Sequence, residues 1–205
     1  MRRAGLALLA LLAAAPTALA ASGEDPGWPC QQRLVPRLEA GTLWPGPAPP
    51  ENAAWRDTPE VAALVARITP RNVPEAEGLD AIKAFAAPLS PAERRRLLPL
   101  TFAGLLEETN RQRSDLITRI KAFARRQHAL AEVANRAAKE LETAPAEASG
   151  EAAARRTELE QRRFFTAKAF QDAERTMRYA CEMPVQLEAR LGAYARVLQA
   201  AMPNG

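Results

Sequence analysis

The chain has 205 residues, of which 47% are apolar and 5% aromatic, and a formal net charge of +4. Alanine supplies nearly half of the apolar residues, so the side chains able to build a core are few, and one domain is expected rather than several. A balance this close to neutral excludes the broad basic footprint of a nucleic-acid binder, and a single histidine excludes a His-rich metal site.

Residues 1–20 read as an export signal. Arg2 and Arg3 precede an apolar run from Ala4 to Ala15, Pro16 follows, and Ala18-Leu19-Ala20 supplies a small-x-small site, so cleavage is expected after Ala20. The run is shorter than the ~18 to 20 residues that span a bilayer, and no later stretch reaches that length, so no transmembrane segment is expected in the mature chain. Losing Arg2 and Arg3 lowers the formal charge from +4 to about +2. Arginine outnumbers lysine 24 to 4 as GC-rich coding produces, so its abundance is poor evidence for phosphate recognition.

Residues 21–57 carry Pro26, Pro29, Pro36, Pro45, Pro47, Pro49 and Pro50 together with all three tryptophans, Trp28, Trp44 and Trp55. Proline at this density opposes helix and central strand, which predicts an extended segment, in part polyproline-II. The tryptophans argue against a free linker, because each ring is a large apolar area that stays wet unless docked. The expected result is a belt pinned to a helical body by its tryptophans and by Cys30. The other cysteine is Cys181; neither has a CxxC partner, and a structural Cys30–Cys181 disulfide, suited to the bacterial periplasm, is expected.

Residues 58–88 predict two short helices. Thr58-Pro59-Glu60 reads as an N-cap, a proline at the first helical position and an acidic first turn, Val61, Leu64, Val65 and Ile68 recur at helical spacing, and Pro70 stops the run. A second helix is expected from about Pro74 to Ala87 on the apolar positions Leu79, Ile82, Phe85 and Ala86.

Residues 89–202 predict a long antiparallel helical hairpin. Ser90-Pro91-Ala92-Glu93 is a capping box with proline at the first helical position. Pro99 is expected to kink the helix or to start a fresh one. Beyond it the seam steps through Leu98, Phe102, Leu105, Thr109, Gln112 and Leu116, shifts by four residues to Ile120, and continues through Phe123, Gln127, Leu130, Ala134, Ala137 and Leu141. Residues 143–150 (TAPAEASG) read as the turn. The return helix repeats the pattern at Leu159, Phe170, Ala173, Met177, Ala180, Pro184, Leu187, Leu191, Tyr194 and Leu198. The seam is rich in Leu, Phe, Met and Tyr near the base and in alanine and polar residues toward the turn. The fold class is therefore all-α, with a thin, polar distal hairpin. A homodimer that completes the alanine-rich seam is the other arrangement these heptads allow.

Catalytic constellations are scarce. His128 sits between Gln127 and Ala129 just after Arg125-Arg126, Glu107-Glu108 diverge on a helix, and Glu158 and Glu160 do not share a face. No G-x-S-x-G, phosphate-loop, CxxCH or HExxH pattern occurs, so no enzyme, cofactor or metal is expected. The expected function is that of a periplasmic adaptor, chaperone-like factor or accessory subunit that binds another periplasmic or envelope protein. Its candidate contact residues are Arg125, Arg126, Arg155, Arg156, Arg162 and Arg163 near the tip, with Trp28 and Trp44 as a second surface. The alternative is a small-ligand module with a pocket under the belt lined by Trp28, Trp44, Phe85, Phe102 and Tyr194.

Overall fold

The computed structural model describes residues 25–50, 53–144 and 149–203; the signal reading over residues 1–20 and turn residues 145–148 lie outside them. The described residues form α1 (Ala40–Leu43), a 3-10 turn (Trp55–Asp57), α2 (Pro59–Ile68), α3 (Glu75–Ala86), α4 (Pro91–Thr143) and α5 (Glu151–Ala200), with no strand among them. The two long helices pack against each other as an antiparallel hairpin, and α2, α3 and the belt gather around its base.

The start of α4 follows the expected chemistry. The Glu93 backbone N–H donates to Ser90 Oγ at 3.4 Å, and the Ser90 N–H donates to Glu93 Oε2 at 2.8 Å, satisfying two otherwise free amides. Thr58 occupies the corresponding position before α2, but its side chain makes no capping bond; Pro59 at N1 and Glu60 in the first turn mark this start instead.

Pro99 does not end α4, which runs for 53 residues, about 80 Å at 1.5 Å per residue. The carbonyl that Pro99 leaves without its i+4 donor belongs to Arg95, an exposed residue within reach of water. Pro184, inside the 50-residue α5, is buried, and the carbonyl it leaves without an i+4 donor belongs to Ala180, beside Cys181. Gln32 Nε2 in the belt donates to the Cys181 carbonyl in the turn that Pro184 disturbs.

The main core lies where five segments meet. Val61, Val65, Ile68, Ile82, Leu98 and Phe102 are completely inaccessible, and Leu191 and Leu198 close the core from α5. Each such side chain contributes about 1.5–3 kcal/mol of transfer free energy. Close approach depends on glycine at two contacts: a Cβ on Gly78 would fall 2.0 Å from Tyr194 Oη, and one on Gly104 would fall 2.9 Å from both Trp55 and Val65. A second, smaller cluster of Ile120, Ala124 and Met177 sits farther along the hairpin, covered by Trp28, Phe123 and the cysteines.

The belt runs antiparallel to α4, and its attachments descend in order. Asp25 pairs with Lys121 at 2.6 Å, the Val35 carbonyl accepts from Arg113 at 2.8 Å, Leu38 meets Asn110, and Trp44 stacks on Phe102 with centroids 4.9 Å apart. Between Asp25 and Trp44 the chain advances only as far as α4 does between Lys121 and Phe102, about 28 Å at helical rise. Turns at 26–27, bends near 30–32 and the short helix α1 account for that compaction. Proline punctuates the belt, and the proline-free stretch between Pro36 and Pro45 is where a helical turn forms.

Polar side chains of α4 hold it. Asn110 acts as a surrogate backbone: its Oδ1 accepts from the Leu38 N–H at 2.8 Å and its Nδ2 donates to the Leu38 carbonyl at 3.0 Å. Arg113, 3% exposed, donates to the carbonyls of Pro184 and Val35 and lies 3.6 Å from Glu188. Burial pushes its pKa below the ordinary guanidinium value, and Glu188 opposes that shift. Trp55 Nε1 donates to Glu107 at 2.7 Å while Arg56 bridges Glu107 and Glu108. The Cys30–Cys181 disulfide, with Cα atoms 5.6 Å apart, ties the belt to α5.

Candidate functional site

Heptad spacing buries one stripe of each long helix against its partner, and on the distal hairpin the remaining faces stay free. Of the described residues from Arg125 to Phe170, Ala137, Leu159 and Thr166 are buried. The tip arginines do not form one open stripe. Arg155 pairs with Glu140 at 3.5 Å, Arg156 with Glu160 at 3.1 Å and Arg162 with Glu158 at 3.3 Å, so three of the six tip arginines are paired within the hairpin itself. Arg125 and Arg163 are exposed, and Arg126 lies over the Phe123 ring at 5.7 Å.

The two tryptophans also part company. Trp44 is 4% exposed, stacked on Phe102 and bonded through Nε1 to the Pro47 carbonyl, which makes it a core residue and removes it from any contact surface. Trp28 is half-buried beside the disulfide, with Nε1 donating to the Gln32 carbonyl at 2.8 Å. Of the five residues expected to line a pocket under the belt, four gather in one core as packing residues and Trp28 lies apart. Trp44, Phe102 and Tyr194 are packed solid in the main core, Phe85 lies at its edge, and Trp28 belongs to the second cluster, next to a crevice of 110 Å³.

Two surfaces escaped the sequence reading. Phe164 and Phe165 are each 65% exposed and meet edge to face with centroids 5.5 Å apart. Adjacent residues point about 100° apart on a helix, and neither falls on the Leu159–Phe170 seam, so both are left in solvent. Their position off the heptad was the available signal.

The other surface is a groove of about 570 Å³ on the side of the hairpin. Leu116, Ile120 and Phe123 of α4 and Thr176, Tyr179, Ala180 and Met183 of α5 line it. Arg71 and Asn72, from the loop between α2 and α3, and Arg119 and Arg126 of α4 complete the lining. No acidic residue lines this groove, and Arg71, Arg119 and Arg126 form no ion pair with any described residue. An apolar trough with three uncompensated guanidinium groups has the chemistry to receive an amphipathic anion.

Among the described residues no group of three or more His, Cys, Asp or Glu side chains is placed to hold a metal ion. His128 is exposed on α4. No described helix is long and apolar enough to cross a membrane. No protein-family model, curated protein or solved structure matches this chain.

Proposed function

We propose that this chain is a non-enzymatic interaction protein of the periplasm, acting as an adaptor, chaperone-like factor or accessory subunit that holds another envelope protein through its helical hairpin. The observation that carries this reading is the exposed aromatic pair Phe164–Phe165 on an arm that the protein's own core does not need. Aromatic side chains offer large contact area at low ordering cost, and leaving two of them wet is unfavourable for a monomer without a use for them. The disulfide suits an oxidising compartment.

The register set by Arg113 with Pro184 and by Ile120 with Met177 places Gln127 opposite about Phe170. Replacing residues 128–169 by a short glycine-rich turn therefore removes the arm and leaves the main core whole. Affinity capture from the periplasm of the producing cell compares this variant with the complete oxidised protein. The expected outcome is a defined envelope protein retained by the complete chain and recovered several-fold less once the arm is removed. Equal recovery by both forms, or none by either, contradicts the reading.

A further inference from the structure

We propose that the groove between α4 and α5 is the seat of a third helix, an acidic amphipathic helix contributed by the partner protein. The inference rests on the adaptor reading and specifies the chemistry of its partner.

The shape favours a helix over a small molecule. The groove is an open trough between two antiparallel helices, where a third rod packs ridges into grooves and completes a three-helix layer. A small ligand needs most of its surface covered, and this trough has no roof.

Helical spacing carries apolar side chains on from the groove along both helices. On α5, Phe165 precedes Thr176 by 11 residues and Met183 by 18, close to three and five whole turns, so all three lie on one side of the helix. On α4, Leu130 follows Phe123 by seven residues on the same face and is one of the exposed large apolar side chains. From Leu116 to Leu130 this path is about 21 Å long, which matches a helix of about 14 residues.

Charge chooses the sign of the occupant. Arg71, Arg119 and Arg126 line the groove beside apolar side chains and lack counter-ions among the described residues, although neighbouring arginines such as Arg111 and Arg56 are paired. Unpaired rim arginines attract and orient an acidic partner and reject a basic one, and their effect falls with ionic strength. A second copy of this chain is a poor fit, because residues 91–178 carry 18 Lys or Arg against 13 Asp or Glu.

The test places a photo-cross-linking amino acid singly at Arg119, Tyr179 and Phe164 of the complete oxidised protein in the producing cell, and sequences the peptide joined to each position. The expected result at Arg119 and Tyr179 is one segment of another protein, with excess Asp and Glu and apolar residues at helical spacing. Its yield at Tyr179 should fall about tenfold when Arg71→Glu and Arg126→Glu are introduced together, two exposed changes that leave the core untouched. Adducts with a second copy, with a lipid-sized molecule or with a segment lacking acidic excess overturn the proposal, as does silence at both groove positions. Silence there with a protein adduct at Phe164 leaves the adaptor reading standing, whereas silence at all three positions removes both.

Discussion

At the base of the hairpin, α4 is buried almost continuously from Leu97 to Leu105, because α2, the belt and α5 cover different sides of it. Beyond Ala124, α5 is the one described helix packed along α4, and Ala137 is the one residue buried along its described distal length. At the border between the two regions the Gln127 amide nitrogen is buried in the seam without a protein partner. One heptad pattern thus yields two kinds of structure. A pair of helices covers only a stripe of each, and a rigid body appears where a third layer covers the rest.

The largest blow to the base alone is a cavity in its centre. Phe102→Ala should cost about 3–5 kcal/mol, seen as a lower midpoint in denaturant unfolding, while helicity of the distal arm survives. Next is the covalent tie, whose partners are 151 residues apart. Replacing Cys30 and Cys181 by serine should cost about 2–4 kcal/mol, against a loop-entropy ceiling of ~5 kcal/mol. Asn110→Ala should cost about 2–3 kcal/mol, because the buried Leu38 N–H and carbonyl both lose their partner. Belt amides near Leu38 should then exchange faster in hydrogen exchange.

A smaller effect follows from acid. The Trp55 indole N–H and the Arg56 guanidinium hold the Glu107 carboxyl below the usual carboxylate range. A depressed folded-state pKa gives stability that is fully present above the unfolded value, about 4.3, and disappears as pH falls through the lower folded value. Melting temperature should therefore fall below about pH 4, and Glu107→Gln should flatten that part of the profile. The smallest stability effect belongs to Phe164→Ser with Phe165→Ser, within about 0.5 kcal/mol because both rings are already in solvent. A large loss of stability from that pair would mean that the arm is packed as the base is.

Much of this division was legible in the residues. The capping box at Ser90, the stop at Pro70, the return seam from Leu159 to Leu198 and the Cys30–Cys181 pair all depend on local spacing or on a single chemical possibility, and the structure reproduces them. What spacing could not reveal was the second stripe of α4. Asn110, Arg113, Ile117 and Lys121 lie under or beside the belt, and three of them are polar residues that periodicity assigns to solvent. Their role depends on backbone carbonyls and amides of a distant irregular segment, which no heptad encodes. Pro99 does not start a fresh helix, because the carbonyl it frees, that of the exposed Arg95, is within reach of water. The groove was invisible for a related reason: Arg71 comes from a loop, and only packing of α2 and α3 against the hairpin brings it beside Arg119 and Arg126.

Hydrogen exchange resolved along the oxidised chain measures the contrast between base and arm most directly. The account predicts strong protection of amides at 97–117 and 187–198, and markedly weaker protection from 128 to 143 and 151 to 169, with both arms opening at low free energy. Uniform protection along α4 and α5 would contradict it, since the arm would then be as firmly held as the base and would not be the part left free for another protein.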